Sequence, residues 1–215
     1  MLEFNKSKFT YLSKVTMPVK YLIAISFTLL PIAAFAQEGP SFDCAKAESS
    51  AEKLICEDEA LADLDNRITQ RFADALAVSK TEKPRLAEPE KLLRAHQRGW
   101  IKGRDECWKE EDLRACVQRN YLQREAELVA EYQLESPIES FTLKCGDETV
   151  NFTTYATALP ALRAERDGSL SVGFLLDKTG ERRFAMRLGL FISNEDGGIW
   201  EDPYGNQTAC KPLSE

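Results

Sequence analysis

The 215-residue chain carries 28 basic and 35 acidic residues, a single histidine and six cysteines, with 43% hydrophobic residues. A net charge of −7 excludes the clustered basic surface that nucleic acid rewards. An even cysteine count points to disulfides; zinc is disfavoured because no pair has C-x-x-C spacing and His96 lies apart from the cysteines.

In chain order, Lys20 precedes an uncharged apolar run from Tyr21 to Phe35 that ends in Ala34-Phe35-Ala36. Signal peptidase reads this small-x-small ending, so residues 1–36 are expected to be a signal peptide cut before Gln37. Met17-Pro18-Val19-Lys20 makes a normal short basic leader by itself, so Met17 is the expected true start. The run of about 15 residues is shorter than the ~20 that span a bilayer, and Pro31 interrupts it. No stable membrane insertion is therefore expected after cleavage, and no cysteine stands at the cut to take a lipid. Export and disulfides together predict a periplasmic or secreted protein. Cleavage removes four lysines and one glutamate, leaving 24 basic and 34 acidic residues, a net charge of −10. That balance suits a basic partner, and it is also the ordinary way to stay soluble.

Residues 37–135 read as helical. Ser49 with Glu52 makes a capping-box pattern. Leu54, Leu61, Leu64, Ile68, Phe72 and Leu76 then recur at helical spacing. Ser79 to Pro84 breaks the pattern. A second stripe runs through Leu93, His96, Trp100, Arg104 and Cys107, and a third through Leu113, Val117, Tyr121, Leu128 and Tyr132. Gly99 and Gly103 weaken the second helix but share a face on which a neighbour can approach closely. Three helices in a small bundle are the economical reading. If the first two fold back about a turn near residues 81–82, Cys56 lies opposite Cys107 and Cys44 opposite Cys116. That geometry favours nested bridges, Cys56–Cys107 and Cys44–Cys116. The alternative joins neighbours, Cys44 with Cys56 and Cys107 with Cys116.

After a linker at residues 136–140 the period changes. Residues 141–145 and 149–155 alternate or carry β-branched and aromatic residues, and Leu170–Leu176 and Arg187–Ser193 read as further strands. Turn signals fall at Asp167-Gly168, Thr179-Gly180, Asp196-Gly197-Gly198 and Tyr204-Gly205-Asn206. Residues 141–215 thus form a small antiparallel β domain, a barrel or sandwich, with Cys145 in the first strand and Cys210 in the last as a staple for a thin core. The whole is α+β in two domains, a disulfide-stapled helical bundle followed by the β domain.

Nothing in the sequence assembles a catalyst, and the chain is read as a non-enzyme. His96 is expected to be a packed, hydrogen-bonded histidine. Glu57-Asp58-Glu59 reads as a solvated helix face, since adjacent helical residues point in different directions. Gly197-Gly198 has no following helix to cradle a phosphate. No cofactor motif and no metal ligand set is present. Asn151-Phe152-Thr153 and Asn206-Gln207-Thr208 match glycosylation sequons that a bacterial-type leader makes uninformative.

The helical half closely resembles the N-terminal domain of the LprI-type lysozyme-inhibitor family. The residues that carry the resemblance are Ser41-Phe42-Asp43-Cys44-Ala45-Lys46-Ala47, Glu52-Lys53-Leu54-Ile55-Cys56 and Leu61-Ala62-Asp63-Leu64-Asp65. They continue with Gln97-Arg98-Gly99-Trp100, Arg104-Asp105-Glu106-Cys107, Cys116 and Tyr121-Leu122-Gln123-Arg124. In that frame Trp100, Tyr121 and the cysteines build the bundle, and Arg104 and Arg124 are structural ion-pair donors. The β half is similar to the MliC-type inhibitors of c-type lysozyme, small antiparallel barrels with a terminal disulfide, through Cys145-Gly146, Asp167-Gly168, Thr179-Gly180 and Thr208-Ala209-Cys210. In that family a Ser-Gly-x-x-Tyr loop and a Thr-Lys-Gly loop enter the lysozyme cleft. Thr179 to Arg183 stands in place of the first, with Phe184 one position late, and Ser193 to Gly197 takes the place of the second without its lysine.

The two resemblances imply an exported envelope binding protein that inhibits lysozyme, with Thr179, Gly180, Glu195, Asp196 and Gly197 as candidate contacts. The alternative is an envelope interaction or assembly module, for another basic envelope protein or for peptidoglycan, that leaves lysozyme untouched.

Overall fold

The computed structural model describes residues 39–81, 86–177 and 182–213. The expected signal peptide therefore lies outside the described residues. Four α-helices precede eight strands: α1 (Ser50–Glu57), α2 (Glu59–Ser79), α3 (Glu90–Asp105) and α4 (Leu113–Tyr132), with short 3-10 turns at Cys44–Lys46 and Glu106–Lys109.

The helix count exceeds the expected three because Asp58 divides the first stripe. Its backbone is extended, its N–H ends α1 on the Leu54 carbonyl, and its carboxylate caps α2 by accepting from Leu61 N at 3.1 Å. Asp58 also pairs with Arg114 at 2.6 Å. Glu57 and Glu59 are exposed as expected, but Asp58 between them is a helix junction. At the start of α1, Ser49 and Glu52 form the reciprocal capping box.

The disulfide pairing also differs from the favoured nested one. Cys44 joins Cys56 and Cys107 joins Cys116, with Cα separations of 5.9 and 5.6 Å, instead of the nested Cys56–Cys107 and Cys44–Cys116. Nested bridges would require residues 49 to 76 to form one continuous rod. In the structure Cys44 lies in a 3-10 turn just ahead of α1, and the extended backbone at Ala47 and Ser49 folds it back onto that short helix. Cys107 lies in the 3-10 turn and Cys116 in the first turn of α4. Each bridge closes one connection between consecutive helices or turns.

The strands are β1 (Glu139–Cys145), β2 (Glu148–Tyr155), β3 (Ala161–Arg166), β4 (Ser169–Asp177), β5 (Arg182–Met186), β6 (Gly189–Asn194), β7 (Gly197–Glu201) and β8 (Gln207–Pro212). Each pairs antiparallel with the next, and β8 returns to β1, so the sheet is a closed up-and-down barrel with no free edge. Cys145 and Cys210 are directly opposite in the closing β1–β8 register and are bonded. Leu143, Phe152, Leu162, Leu175, Phe184, Phe191 and Trp200 fill the interior. Phe152 stacks on Phe141 at 5.1 Å and on Phe191 at 4.4 Å.

A separate core joins helix to barrel. Ala126, Val129 and Ala130 of α4 pack on Tyr155, Ala161 and Val172, which face outward from β2, β3 and β4. Strand β3 is consequently buried on both faces from Ala161 to Ala164. Arg163, 1% exposed, projects from its outer face and donates to the Ala130 and Glu131 carbonyls at 3.1 and 2.8 Å. Those are C-terminal carbonyls of α4 that the helix cannot satisfy, and the cation also complements the negative end of the helix dipole. Nearby, Arg187 in the turn after β5 pairs with Glu131 at 2.6 Å and Glu88 at 3.1 Å. Burial opposes its charge, but these carboxylates outweigh it and hold the guanidinium above its ordinary value.

A candidate binding mouth at one end of the barrel

Antiparallel strands alternate direction, so the start of β1, the end of β4, the start of β5, the β6–β7 turn and the end of β8 share one end of the barrel. A groove of about 750 Å³ opens there. Phe141, Leu143 and Pro212 supply apolar lining; Glu139, Arg182, Ser193, Asn194 and Glu195 supply the polar rim. The alternation explains the mixture. Residues 139, 141 and 143 point inward together along β1, as do 182, 184 and 186 along β5, so the interior's aromatic column surfaces beneath a charged rim. With α4 covering the outer face of β2 to β4, the opposite wall around β7 is left clear of that helix.

The β6–β7 tip is fixed from two sides. The Asn194 side chain accepts from Asp196 N at 3.1 Å. Gly197 has φ of +127°, and a Cβ there would lie 2.3 Å from the Cys210 carbonyl oxygen, so only glycine fits against β8. Glu195 and Asp196 are thus presented as exposed carboxylates on a braced hairpin backed by the strand of the Cys145–Cys210 bridge. Glu139, Arg182, Glu195 and Asp196 make no ion pair among the described residues, although Arg182 sits 5.5 Å over the Phe184 ring. A mouth of this composition can accept a partner's side chain against Phe141 and present charge around it.

Of the sequence candidates, Glu195, Asp196 and Gly197 lie together at this mouth. Thr179 and Gly180 lie outside the described residues; the strands that flank them, ending at Asp177 and starting at Arg182, reach the same end. Arg182, Phe141 and Glu139 were not singled out from sequence. The inward parity of Arg182 with Phe184 and Met186 was the signal available.

Trp100, Arg104, Tyr121 and Arg124 lie within the helical half. The Tyr121 hydroxyl donates to Asp65 and accepts from Arg104, both at 2.8 Å, while Asp65 also accepts from Ser41 N. Burial pushes the Tyr121 hydroxyl well above its ordinary range. Trp100 meets Tyr121 edge-on at 5.3 Å, and Arg124 bonds Gln97 and Glu127. His96 departs from expectation: its side chain is 52% exposed and pairs with Glu88 at 2.6 Å, because α3 turns that position away from the bundle. Gly99 and Gly103 likewise face open space, with no neighbour close to either. Among the described residues no group of three or more His, Cys, Asp or Glu is placed to hold a metal, and no helix is long and apolar enough to cross a membrane.

A family model described as "Lysozyme inhibitor LprI" matches residues 44–112. Lipoprotein LprI of Mycobacterium bovis and lipoprotein LprI of Mycobacterium tuberculosis are each 30% identical over 177 residues, spanning 80% of this chain and 84% of the relative. The chain belongs to the LprI family. No solved structure matches it. A match of that span exceeds the helical half and must run on into the barrel strands, so the LprI relationship covers both halves rather than the helices alone.

Proposed function

We propose that this LprI-family protein is exported, loses residues 1–36, and works in the periplasm or outside the cell as an inhibitor that binds c-type lysozyme. The observation that carries the reading is the lysozyme-inhibitor family match over residues 44–112, supported by the LprI relatives whose similarity runs on into the barrel. Three disulfides fit an oxidising compartment. The mature charge of −10 divides as −6 over residues 37–135 and −4 over residues 136–215, so both halves attract a strongly basic enzyme. Attraction of this kind raises the on-rate and fades once salt screens charges beyond ~8–10 Å.

Specificity then needs a shaped contact. The barrel mouth supports one: the braced Glu195–Asp196 tip, Gly197 behind it, and the Thr179–Gly180 connection between β4 and β5 are the contacts we assign, with Arg182 and Phe141 lining the opening. Modules 37–135 and 141–215 act together in binding, without cofactor, metal or catalytic step. A turbidity assay of lysozyme on bacterial cells tests this. The oxidised mature protein is expected to slow clearing at low salt and less so at physiological salt. Full lysozyme activity in its presence would favour the envelope interaction or assembly module instead.

A further inference from the structure

Trp108 is 60% exposed, in a chain whose other two tryptophans are largely covered. It sits in the 3-10 turn Glu106–Lys109, between α3 and α4, on a ring closed by the Cys107–Cys116 bridge. The ring is held at its root and along its length. Cys107 and Cys116 are buried, Glu110 N donates to the Cys107 carbonyl at 3.0 Å, and the Asp112 side chain caps α4 through Ala115 N. Arg114 ties the ring to Asp58 at the α1–α2 junction. A large aromatic held out on a pre-ordered loop loses little conformational freedom on binding, and tryptophan is among the residues that dominate interface energetics.

We infer that the Trp108 turn is a second docking surface, and that its occupant is the basic enzyme of the functional reading, on which this inference rests. Charge chooses the occupant. Lys109 is paired with Glu106 and lies over the indole at 5.3 Å, whereas Glu110 and Glu111 are exposed and make no ion pair among the described residues. Residues 106–112 thus carry four carboxylates, Glu106, Glu110, Glu111 and Asp112, against the one cation Lys109, and this net negative turn favours a basic protein and opposes an anionic bilayer. Position supports the same assignment. The residues matched by the LprI family model, 44–112, include Trp108 and stop short of every barrel strand. The turn lies at the start of α4, whereas the barrel contact begins at Ala126, about 20 Å along the helix at 1.5 Å per residue. Mouth and turn are separate surfaces, so substitutions in them should act independently.

The test is titration calorimetry of the oxidised chain 37–215 with hen-type lysozyme at low salt, for the wild type, Trp108→Ser, Trp108→Phe and the Glu195→Lys/Asp196→Lys pair. Trp108→Ser is expected to weaken binding at least tenfold with an unchanged far-UV spectrum, and Trp108→Phe to recover most of it. Wild-type affinity retained within twofold by Trp108→Ser, with the charge-reversed tip weakened, overturns the Trp108 surface and leaves the inhibitor reading standing. No binding by the wild type overturns both. Binding to vesicles containing anionic lipid that Trp108→Ser abolishes, with lysozyme affinity unaltered, also overturns it.

Discussion

Replacing Arg163 by alanine should loosen the helices from the barrel and leave each half's own core intact. The guanidinium is buried and donates to two main-chain carbonyls at the end of α4. Two hydrogen bonds from a charged group are each worth about 1.5–3 kcal/mol, and losing them strands buried acceptors. Against that stands the relief of a cation's desolvation, which cancels part of the gain. The pair with Glu165 adds little, because that carboxylate is about one-third exposed and water can replace its partner. The net cost is about 2–4 kcal/mol, a fall in Tm of roughly 5–15 °C for a chain of this size. Urea unfolding followed by far-UV and near-UV circular dichroism is the assay. The wild type should give coincident transitions, and Arg163→Ala an earlier transition whose two signals separate. A variant within 0.5 kcal/mol of the wild type, about the ordinary size of a surface effect, would refute the assignment of Arg163 as the clamp.

Removing the barrel staple by Cys145→Ser with Cys210→Ser should cost about 4 kcal/mol, the chain-entropy value for a bridge between residues 65 apart. Urea midpoints of the two proteins under oxidising conditions check it, and a loss below 1 kcal/mol would contradict it. On the alkaline side, burial raises the hydroxyls of Tyr121, Tyr132 and Tyr155 above the ordinary value of 10.0. The folded chain keeps these protons while the unfolded chain loses them. Their stabilisation is therefore complete below about pH 10 and declines above it, by about 1.4 kcal/mol per pH unit for each tyrosine. Tyr121→Phe should remove one tyrosine's share of that slope while lowering neutral-pH stability by about 1–3 kcal/mol through the lost bonds to Arg104 and Asp65, which keep Asp105 and Ser41 as partners; an unchanged alkaline slope in urea titrations refutes the burial of the phenol as its cause.

The elements legible from sequence were those whose neighbours lie close along the chain. The capping box at Ser49 and Glu52 is local chemistry, and so is the strand alternation from Phe141 to Tyr155. The Cys145–Cys210 staple followed from their places in the first and last strands, whereas the choice of a closed barrel over a sandwich came from the β1–β8 pairing. What sequence hid depended on long-range packing. Strand β3, Ala161-Leu162-Arg163-Ala164, shows no alternation because α4 covers its outer face, and its two alanines carry little β signal. Nothing local marks Arg163, since only the approach of α4 gives its guanidinium the Ala130 and Glu131 carbonyls. Asp58 was misread because a capping aspartate and a solvated helix aspartate look alike until the backbone turns. At the mouth, Glu195, Asp196 and Gly197 came from turn chemistry and resemblance, whereas Arg182 and Phe141 needed the closed barrel to bring β1 and β5 to one opening.

We propose that this acidic LprI-family chain binds and inhibits c-type lysozyme through the braced tip at the barrel mouth. Titration calorimetry against hen-type lysozyme, paired with turbidity inhibition at low and physiological salt, tests it most directly. Measurable binding that weakens as salt rises is expected, with a further loss of affinity and inhibition on Glu195→Lys/Asp196→Lys or on bulky replacement of Gly180. Folded, oxidised protein that gives neither heat nor inhibition at low salt would contradict it.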